Sequence, residues 1–464
     1  MVSIILVSYN KHDITIQCVE SIRRNVIIPY EIIIVDNNSK SETIEALKNI
    51  DGIRLILNNE NKGFPSGCND GCRIAKGDII WFLNNDTIVP PKSLERMVEL
   101  LISDDKIGMV GPVTNHISGN QQIPVTYTHD NEIDTFASFI AQKYMKQTTY
   151  VIRLVGFSLL IRKSTLSLIG GFDERMGVGF FEDDDLSLRL VVNGYKLLIA
   201  KDAFIHHLGS ISFKAAMIDT GYYPSLNDRN QRLVSNNFGI TVPDEIILNE
   251  DILPFIPDNI HKILHVECGG GSLGLHMRER GKYIVGLDSN INKIKISHAH
   301  YNAIINYSSI EPFELSSIYD EFDMLIIEQQ LNHDNTLSII RNIKRNLAAF
   351  HRVLIHIPKI TAINNDVYHT YFENWKSDGL TPNYGSFNIS FFIQQMRLMG
   401  YKPKHLQYNE LNHGLFNHYS FMRYKNNKIT NPGELSYFAQ WIGLFDKYNK
   451  HGQTCQTECE KRKG

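Results

Sequence analysis

The sequence predicts an α/β protein of two domains. Three observations carry that prediction: strand-like and helix-like runs alternate through the first half, the alternation lapses into a polar, acidic stretch and resumes after Pro257, and 464 residues exceed what one hydrophobic core usually supports. Repeated strand–helix units imply a mostly parallel sheet covered on both faces.

Met1 leads into VSIILVSYN, where Ile4 to Ser8 reads as a buried strand. The run is too short for a signal peptide with proper flanks, and no stretch reaches the roughly 20 apolar residues of a spanning helix. Ile14 to Ile22 has helical period, and Glu31 to Asp36 is a strand ending in the turn residues Asn37-Asn38-Ser39. A helix near Glu42 to Asn49, a strand near Arg54 to Leu57 and a strand from Asp78 to Leu83 follow. Pro90-Pro91 then precede a helix from Lys92 to Ser103, as proline in a first turn permits.

A hydrophobic share of 43% and a formal net charge of −3 are those of an ordinary globular protein and argue against nucleic acid as a partner. The six cysteines are few and scattered, which predicts a reducing, cytoplasmic setting and packing or loop roles for the pairs Cys68/Cys72 and Cys455/Cys459 rather than zinc. Peripheral docking at the inner face of a membrane remains compatible with this composition.

Ligands of a parallel sheet sit beyond the carboxyl ends of its strands. The polar groups Ser8-Tyr9-Asn10, Asp36 and Asn84-Asn85-Asp86 fall at three such ends and suggest one pocket, although each is also an ordinary turn former. The small-residue segment NNENKGFPSGCNDG, Asn58 to Gly71, would let backbone approach a phosphate closely. Farther on, Glu182-Asp183-Asp184-Asp185 stands after a glycine-rich turn at the head of an amphipathic segment, with His206-His207 one strand later. Carboxylates there can take a proton or hold a metal, and a histidine can complete a metal site.

These motifs resemble glycosyltransferase family 2, the inverting enzymes of GT-A fold. The matching features are ILVSYN, IIIVDNNS, NKGFPSGCNDG, FLNND as a variant of the DxD motif, GGFDE, FFEDDDLSLRL and IHHLGS, in order over residues 1 to about 215. The resemblance implies that Ser8, Tyr9, Asp36, Asn61, Gly63, Asn84, Asn85 and Asp86 bind a nucleotide-sugar donor, with Tyr9 and Asp36 at the nucleoside. It implies that Asp86 and His206 hold Mn2+ or Mg2+ at the diphosphate, with His207 facing away because strand side chains alternate. Asp183 matches the family's general base. Glu182 and Asp185 read as helix-capping or loop-orienting groups, and Asp184 as solvent-facing. The product implied is a glycan or glycoconjugate.

Residues 115 to 150 show little apolar periodicity and read as a border of the acceptor cleft or a surface loop. After His207, a helical tail and linker end the first domain, expected at 1–250. KILHVECGGGSLGLHMRERGKYIVGLDSN then gives a strand, a glycine-rich turn, a helix and a strand ending in Asp288, a nucleotide-binding pattern that would also suit NAD. With Phe322 to Pro358 and FIQQMRLMGY, it resembles a class I S-adenosylmethionine-dependent methyltransferase, implying a Rossmann-like methyltransferase-type domain over 251–430 with Gly269, Gly271 and Asp288 at the cofactor. His265 replaces that family's acid and Glu267 its first glycine, which argues against S-adenosylmethionine as a working cofactor. GELSYFAQWIGLFDKY in the last segment, 431–464, is expected to be a helix before a mobile tail. The reading is thus a glycosyltransferase; the alternatives are a bifunctional glycosyltransferase/methyltransferase and a noncatalytic scaffold with relic motifs.

Overall fold

The computed structural model describes residues 1–209, 224–243, 245–248, 250–306, 322–328, 352–357, 401–410 and 438–447. The chain divides into two compact units, one of Met1–Leu248 with Gly269–His276 and Asn292–His300, the other of Asn249–Cys268, Met277–Ile291 and Tyr301–Gly464.

The first unit is built on β1 (Val2–Ser8), β2 (Tyr30–Asp36), β3 (Ile53–Leu57), β4 (Ile79–Asn84), β5 (Thr87–Ile88), β6 (Ile107–Val113), β7 (Thr148–Val151), β8 (Ser158–Arg162), β9 (Lys196–Phe204) and β10 (His206–His207). Eight of them form one sheet in the order β3-β2-β1-β4-β8-β6-β9-β7, and β5 and β10 form a small second sheet. Strands β1 to β4 are mutually parallel, so their carboxyl ends lie on one edge. β8 runs antiparallel to both β4 and β6. That reversal brings the turn before β8 to the carboxyl end of β4.

The helices are α1 (His12–Asn25), α2 (Ser41–Lys48), α3 (Gly63–Ile74), α4 (Ser93–Ile102), α5 (Ile133–Lys143), α6 (Lys163–Ile169), α7 (Glu182–Val192) and α8 (Pro224–Phe238). Alternation along β1 sends Val2, Ile4 and Leu6 to one face, where they pack with Cys18, Val19 and Ile22 of α1 and Leu94, Met97 and Leu101 of α4. Ile5 faces the other side, with Cys68 of α3, Phe136 and Ile140 of α5 and Leu186, Leu188 and Leu190 of α7. Among the described residues, no helix is long and apolar enough to cross a membrane.

The early strands and helices lie within three residues of their expected positions, and 115 to 150, read as a border of the acceptor cleft or a surface loop, contains the helix α5. Ile133, Phe136, Ala137, Ile140 and Ala141 are buried at helical spacing, a period masked by the polar residues on either side.

Sheet order in the second unit is β13-β12-β11-β14-β15-β17-β16. These are β11 (Lys262–Val266), β12 (Tyr283–Asp288), β13 (Ala303–Asn306), β14 (Met324–Glu328), β15 (Arg352–Ile357), β16 (Tyr401–Glu410) and β17 (Phe438–Lys447). β11 to β15 are parallel, and β17 enters antiparallel between β15 and β16. The expected helix at GELSYFAQWIGLFDKY is therefore a strand over Phe438–Lys447. A strand with neighbours on both edges can be apolar without alternation, and a short run of that kind is not distinguished from a helix by period. The expected late helix FIQQMRLMGY and the pair Cys455/Cys459 lie outside the described residues, apart from Tyr401 at the start of β16.

Helix α3 lies close on β1 because glycines face it. A Cβ on Gly71 would stand 2.6 Å from Ile5 Cγ2, and one on Gly67 2.9 Å from Val7 Cγ1. Gly71→Ala is expected to lower stability by about 1–3 kcal/mol through overpacking, which outweighs the gain of about 1 kcal/mol in helix propensity. The check is a lower urea midpoint at unchanged m value; a raised midpoint would contradict the packing argument.

Candidate active site at the carboxyl edge of the first sheet

The end of β4 carries Asn84, Asn85 and Asp86, and β5 follows at once. β5 pairs antiparallel with β10, His207 opposite Thr87 and His206 opposite Ile88, so the paired histidines arrive beside Asp86. His207 Nε2 lies 3.2 Å from Asp86 Oδ1, both side chains being buried. The His207 ring stacks on Phe157 with centroids 5.4 Å apart. Its Nδ1 is 2.8 Å from the carbonyl oxygen of His116, which can only accept, so Nδ1 carries the hydrogen and a neutral ring presents the Nε2 lone pair toward Asp86. Asn84 Nδ2, 3.5 Å from Nε2, faces it as a donor. An imidazole lone pair and a carboxylate this close could share a cation, either a proton or a metal ion.

In this geometry His207, and not the expected His206, lies beside Asp86. His206 Nδ1 makes a 2.5 Å hydrogen bond with the Tyr127 hydroxyl, away from Asp86. Burial holds the Tyr127 phenol above and the His206 imidazole below their usual ranges, so both are neutral. Alternation puts the two histidines on opposite faces, and the β5–β10 register sets which face meets Asp86. Among the described residues, no three His, Cys, Asp or Glu side chains form a preformed metal cluster.

Asp183 sits in the first turn of α7. Gly156 N donates to Asp183 Oδ2 at 2.8 Å, and Asp184 N donates to Asp183 Oδ1 at 2.9 Å. The same short segment joins Asp183 to the histidine pair, because Phe157 stacks on His207 and its carbonyl accepts from Asn84 N at 2.8 Å. Glu182, Asp183, Asp184 and Asp185 are all buried. Asp184, expected in solvent, is 1% exposed and lies 2.5 Å from the Nε of Arg153. Asp185 pairs with Arg189, whose guanidinium also donates to the carbonyls of Ile169, Gly170 and Gly171 and so fixes the GGFDE turn. Arg153 escaped notice in the sequence although it is the lone charge in the apolar run Val151 to Phe157, a pattern that announces a buried pair.

The glycine-rich segment is held by polar side chains of the neighbouring strands. Gly63 N donates to Asn61 Oδ1 at 3.0 Å, and Asn37 Nδ2 donates to the Gly63 carbonyl at 2.9 Å. Asn58 links Asn37 to Asp70, which also pairs with Lys62 and Arg73. A Cβ on Gly63 would stand 1.9 Å from the Gly177 carbonyl oxygen, so no larger residue fits where this loop meets the one before α7.

Other expected donor contacts are engaged within the protein. Ser8 Oγ lies 3.5 Å from Thr15 Oγ1, and Asn85 Nδ2 donates to the same hydroxyl at 2.8 Å; both residues are buried. They tie the strand ends to α1. Asp36 is 0% exposed and accepts from the Ser39 amide and hydroxyl, and burial raises its carboxyl above the ordinary value. Tyr9 is half-buried beside Asn10, whose own amide donates to Ser39 Oγ at 2.7 Å.

Gly269 and Gly271 take φ of 54° and 91°, in the region that favours glycine. Glu267 adopts φ 56° with a side chain. Asp288 is buried at the end of β12 and accepts from Asn290 N at 2.8 Å. His265 is buried in β11, with Nδ1 2.8 Å from the Tyr301 hydroxyl and Nε2 3.2 Å from Glu328.

Residues 3–167 match the model of glycosyl transferase family 2, so this stretch is a domain of that family. The chain is 24% identical over 213 residues to the O-antigen chain rhamnosyltransferase of Salmonella typhimurium, covering 44% of this chain and 66% of that one. It is 32% identical over 105 residues to an uncharacterized glycosyltransferase of Bacillus subtilis, covering 22% and 39% respectively. The chain thus spans less than two thirds of the length of these curated relatives. The crystal structure of GalNAc-T7 with UDP, GalNAc and Mn2+ aligns with a TM-score of 0.37 at 17% identity, over 45% of this chain and 43% of that one.

Burial, followed by the charge of Asp183, pushes the Glu182 carboxyl from 4.5 up to about 8, and its Oε2 has no hydrogen-bond partner among the described residues. The fold therefore favours protonated Glu182: its contribution is intact below about pH 4.5 and is lost as pH rises through about 8. Glu182→Gln, permanently neutral, is expected to match the wild type in melting temperature near pH 5 and to exceed it by several degrees near pH 9. A constant difference across that range would refute the assignment.

Proposed function

We propose that this chain, through its family 2 domain, is an inverting glycosyltransferase of GT-A type, moving a sugar from a UDP- or dTDP-linked donor to a hydroxyl of a glycan or glycoconjugate. The observation that carries this reading is the Gly156–Phe157 segment, which meets Asp183 through one residue and Asn84 and His207 through the next. A carboxylate able to take a proton and a pair able to hold a cation are thereby tied to one piece of backbone.

Asp86 and His207 are the residues that would hold Mn2+ or Mg2+; an oxygen donor and an imidazole whose other nitrogen is fixed by the His116 carbonyl suit manganese well. When bound, the ion supplies positive charge against the donor diphosphate. Asp183 takes the proton of the acceptor hydroxyl as that oxygen forms its bond to the anomeric carbon. The bond from that carbon to the diphosphate oxygen breaks, its electron pair leaves with the nucleoside diphosphate, and one displacement from the opposite face inverts the configuration. Two backbone N–H donors hold Asp183 in place for this step. Tyr9 and Asp36 serve the nucleoside, Asp36 by exchanging its hydrogen bond from Ser39 for one from base or ribose.

For the second unit, the strand order with β17 antiparallel supports a methyltransferase-type fold. Its role is noncatalytic in this reading, supported by His265 bonded to Tyr301 where an acid is expected and by Glu267 at a glycine position. Calorimetry with S-adenosylmethionine is expected to give no micromolar binding; a micromolar constant would reverse that assignment.

Release of nucleoside diphosphate from a panel of UDP-, dTDP- and GDP-sugars with Mn2+ and a glycan acceptor tests the main reading. Asp183→Ala is expected to lose turnover by at least about 10²–10⁴-fold with metal-dependent nucleotide binding retained. Asp86→Ala and His207→Ala are expected to weaken that binding by about 10–100-fold, whereas His206→Ala leaves it within a few-fold. Equal metal-dependent binding by wild type and Asp86→Ala would overturn the metal assignment.

A further inference from the structure

The segment that delivers Asp183 has an improbable backbone. Gly177, Gly179, Phe180 and Phe181 take φ of 66°, 151°, 74° and 65° immediately before Glu182. Glycine tolerates such angles, but two successive phenylalanines do so only where surrounding contacts impose them. On one side the segment rests on the glycine-rich loop, Phe64 N donating to the Val178 carbonyl at 3.1 Å. On the other stands α8, which like α7 itself lies beyond the 3–167 stretch of the family 2 domain.

Asn230 of α8 is fully buried. Its Nδ2 donates to the carbonyls of Met176 at 2.8 Å and Gly179 at 2.8 Å, with Phe180 O a third acceptor at 3.2 Å. Three carbonyl oxygens around one position require the NH2 end of the amide there, which fixes its orientation. Its Oδ1 accepts from Arg229 Nε at 3.2 Å, and the Arg229 guanidinium also bonds the Arg175 carbonyl. One amide thus gathers the carbonyls from 176 to 180 and sets the angle at which the chain enters α7.

We propose that Asn230 is a positioning residue for Asp183, so that α8 belongs to the transferase machinery instead of trailing from it. This inference rests on the reading of Asp183 as the base. Asn230 touches no substrate; it acts by holding the carbonyls of Met176, Gly179 and Phe180 so that Asp183 keeps its bond to Gly156 N. Asparagine suits the position because Asp has the same shape but lacks both donors, and three carbonyls would oppose its charge.

The test uses the full chain with Mn2+ and whichever nucleotide sugar the wild type turns over. Asn230→Asp is expected to lower kcat about 10–100-fold while the donor Kd, measured by calorimetry, stays within twofold, and amide exchange across residues 177–184 accelerates while that of β4 does not. Asn230→Ser, retaining one donor, should fall between the two in kcat and covers the case in which the aspartate fails to fold. Val234→Ala, which trims a buried side chain of the same helix, controls for general destabilisation and should keep kcat. An Asn230→Asp protein with wild-type kcat and exchange, or a Val234→Ala protein that loses kcat equally, would overturn the positioning role alone. A wild type that releases no nucleoside diphosphate from any donor would sink the transferase reading and this inference with it, even if the exchange result holds.

Discussion

Four successive carboxylates are buried at the head of α7, and the surrounding first unit supplies what that burial requires. Ionised carboxylates away from water need opposite charge and donors, or they take up protons. Arg153 stands beside Asp184 and Arg189 beside Asp185, while Asp183 receives the N–H of Gly156 and of its own helix. Burial nevertheless pushes the carboxyls of Glu182 and Asp184 well up, to about 8 and about 7, toward the neutral form. The four neighbours thereby acquire different chemistry from one helical turn.

The same constraint links distant parts of the chain. Gly156 reaches Asp183 because β8 runs back along β4, and that reversal also seats Phe157 against His207. The β5–β10 ladder then selects which histidine meets Asp86. Loop 176–181 is closed between Gly63–Phe64 and Asn230, so its strained angles are imposed from both sides. The carboxylates, the histidine and the glycine-rich loop are in this sense one packing problem.

Polar residues at strand ends divide into two groups that composition does not separate. Asp86 lies beside the His207 ring, whereas Ser8 and Asn85 both reach the Thr15 hydroxyl. Thr15 lies in α1, and nothing in its own neighbourhood marks it as their partner. In the second unit, His265 and Glu267 likewise stand where a nucleotide site was expected, but one is bonded to Tyr301 and the other holds a left-handed backbone angle.

Local pattern was enough for the elements whose signal is local. The strands β1 to β4 and their helices follow from apolar period and turn residues, and the order of motifs from ILVSYN to IHHLGS marked Asp86 and Asp183. The signals for Arg153, a lone charge in an apolar run, and for the buried face of α5, an i, i+3, i+4 spacing between polar flanks, are local too but weak enough to pass unread. Tertiary structure alone decided that His207 and not His206 faces Asp86, that Asp184 is buried, that Phe438–Lys447 is a strand and that Asn230 holds the loop before α7. Each of those outcomes depends on ladder register or on a partner tens of residues away, and neither is written in the residues that flank the position.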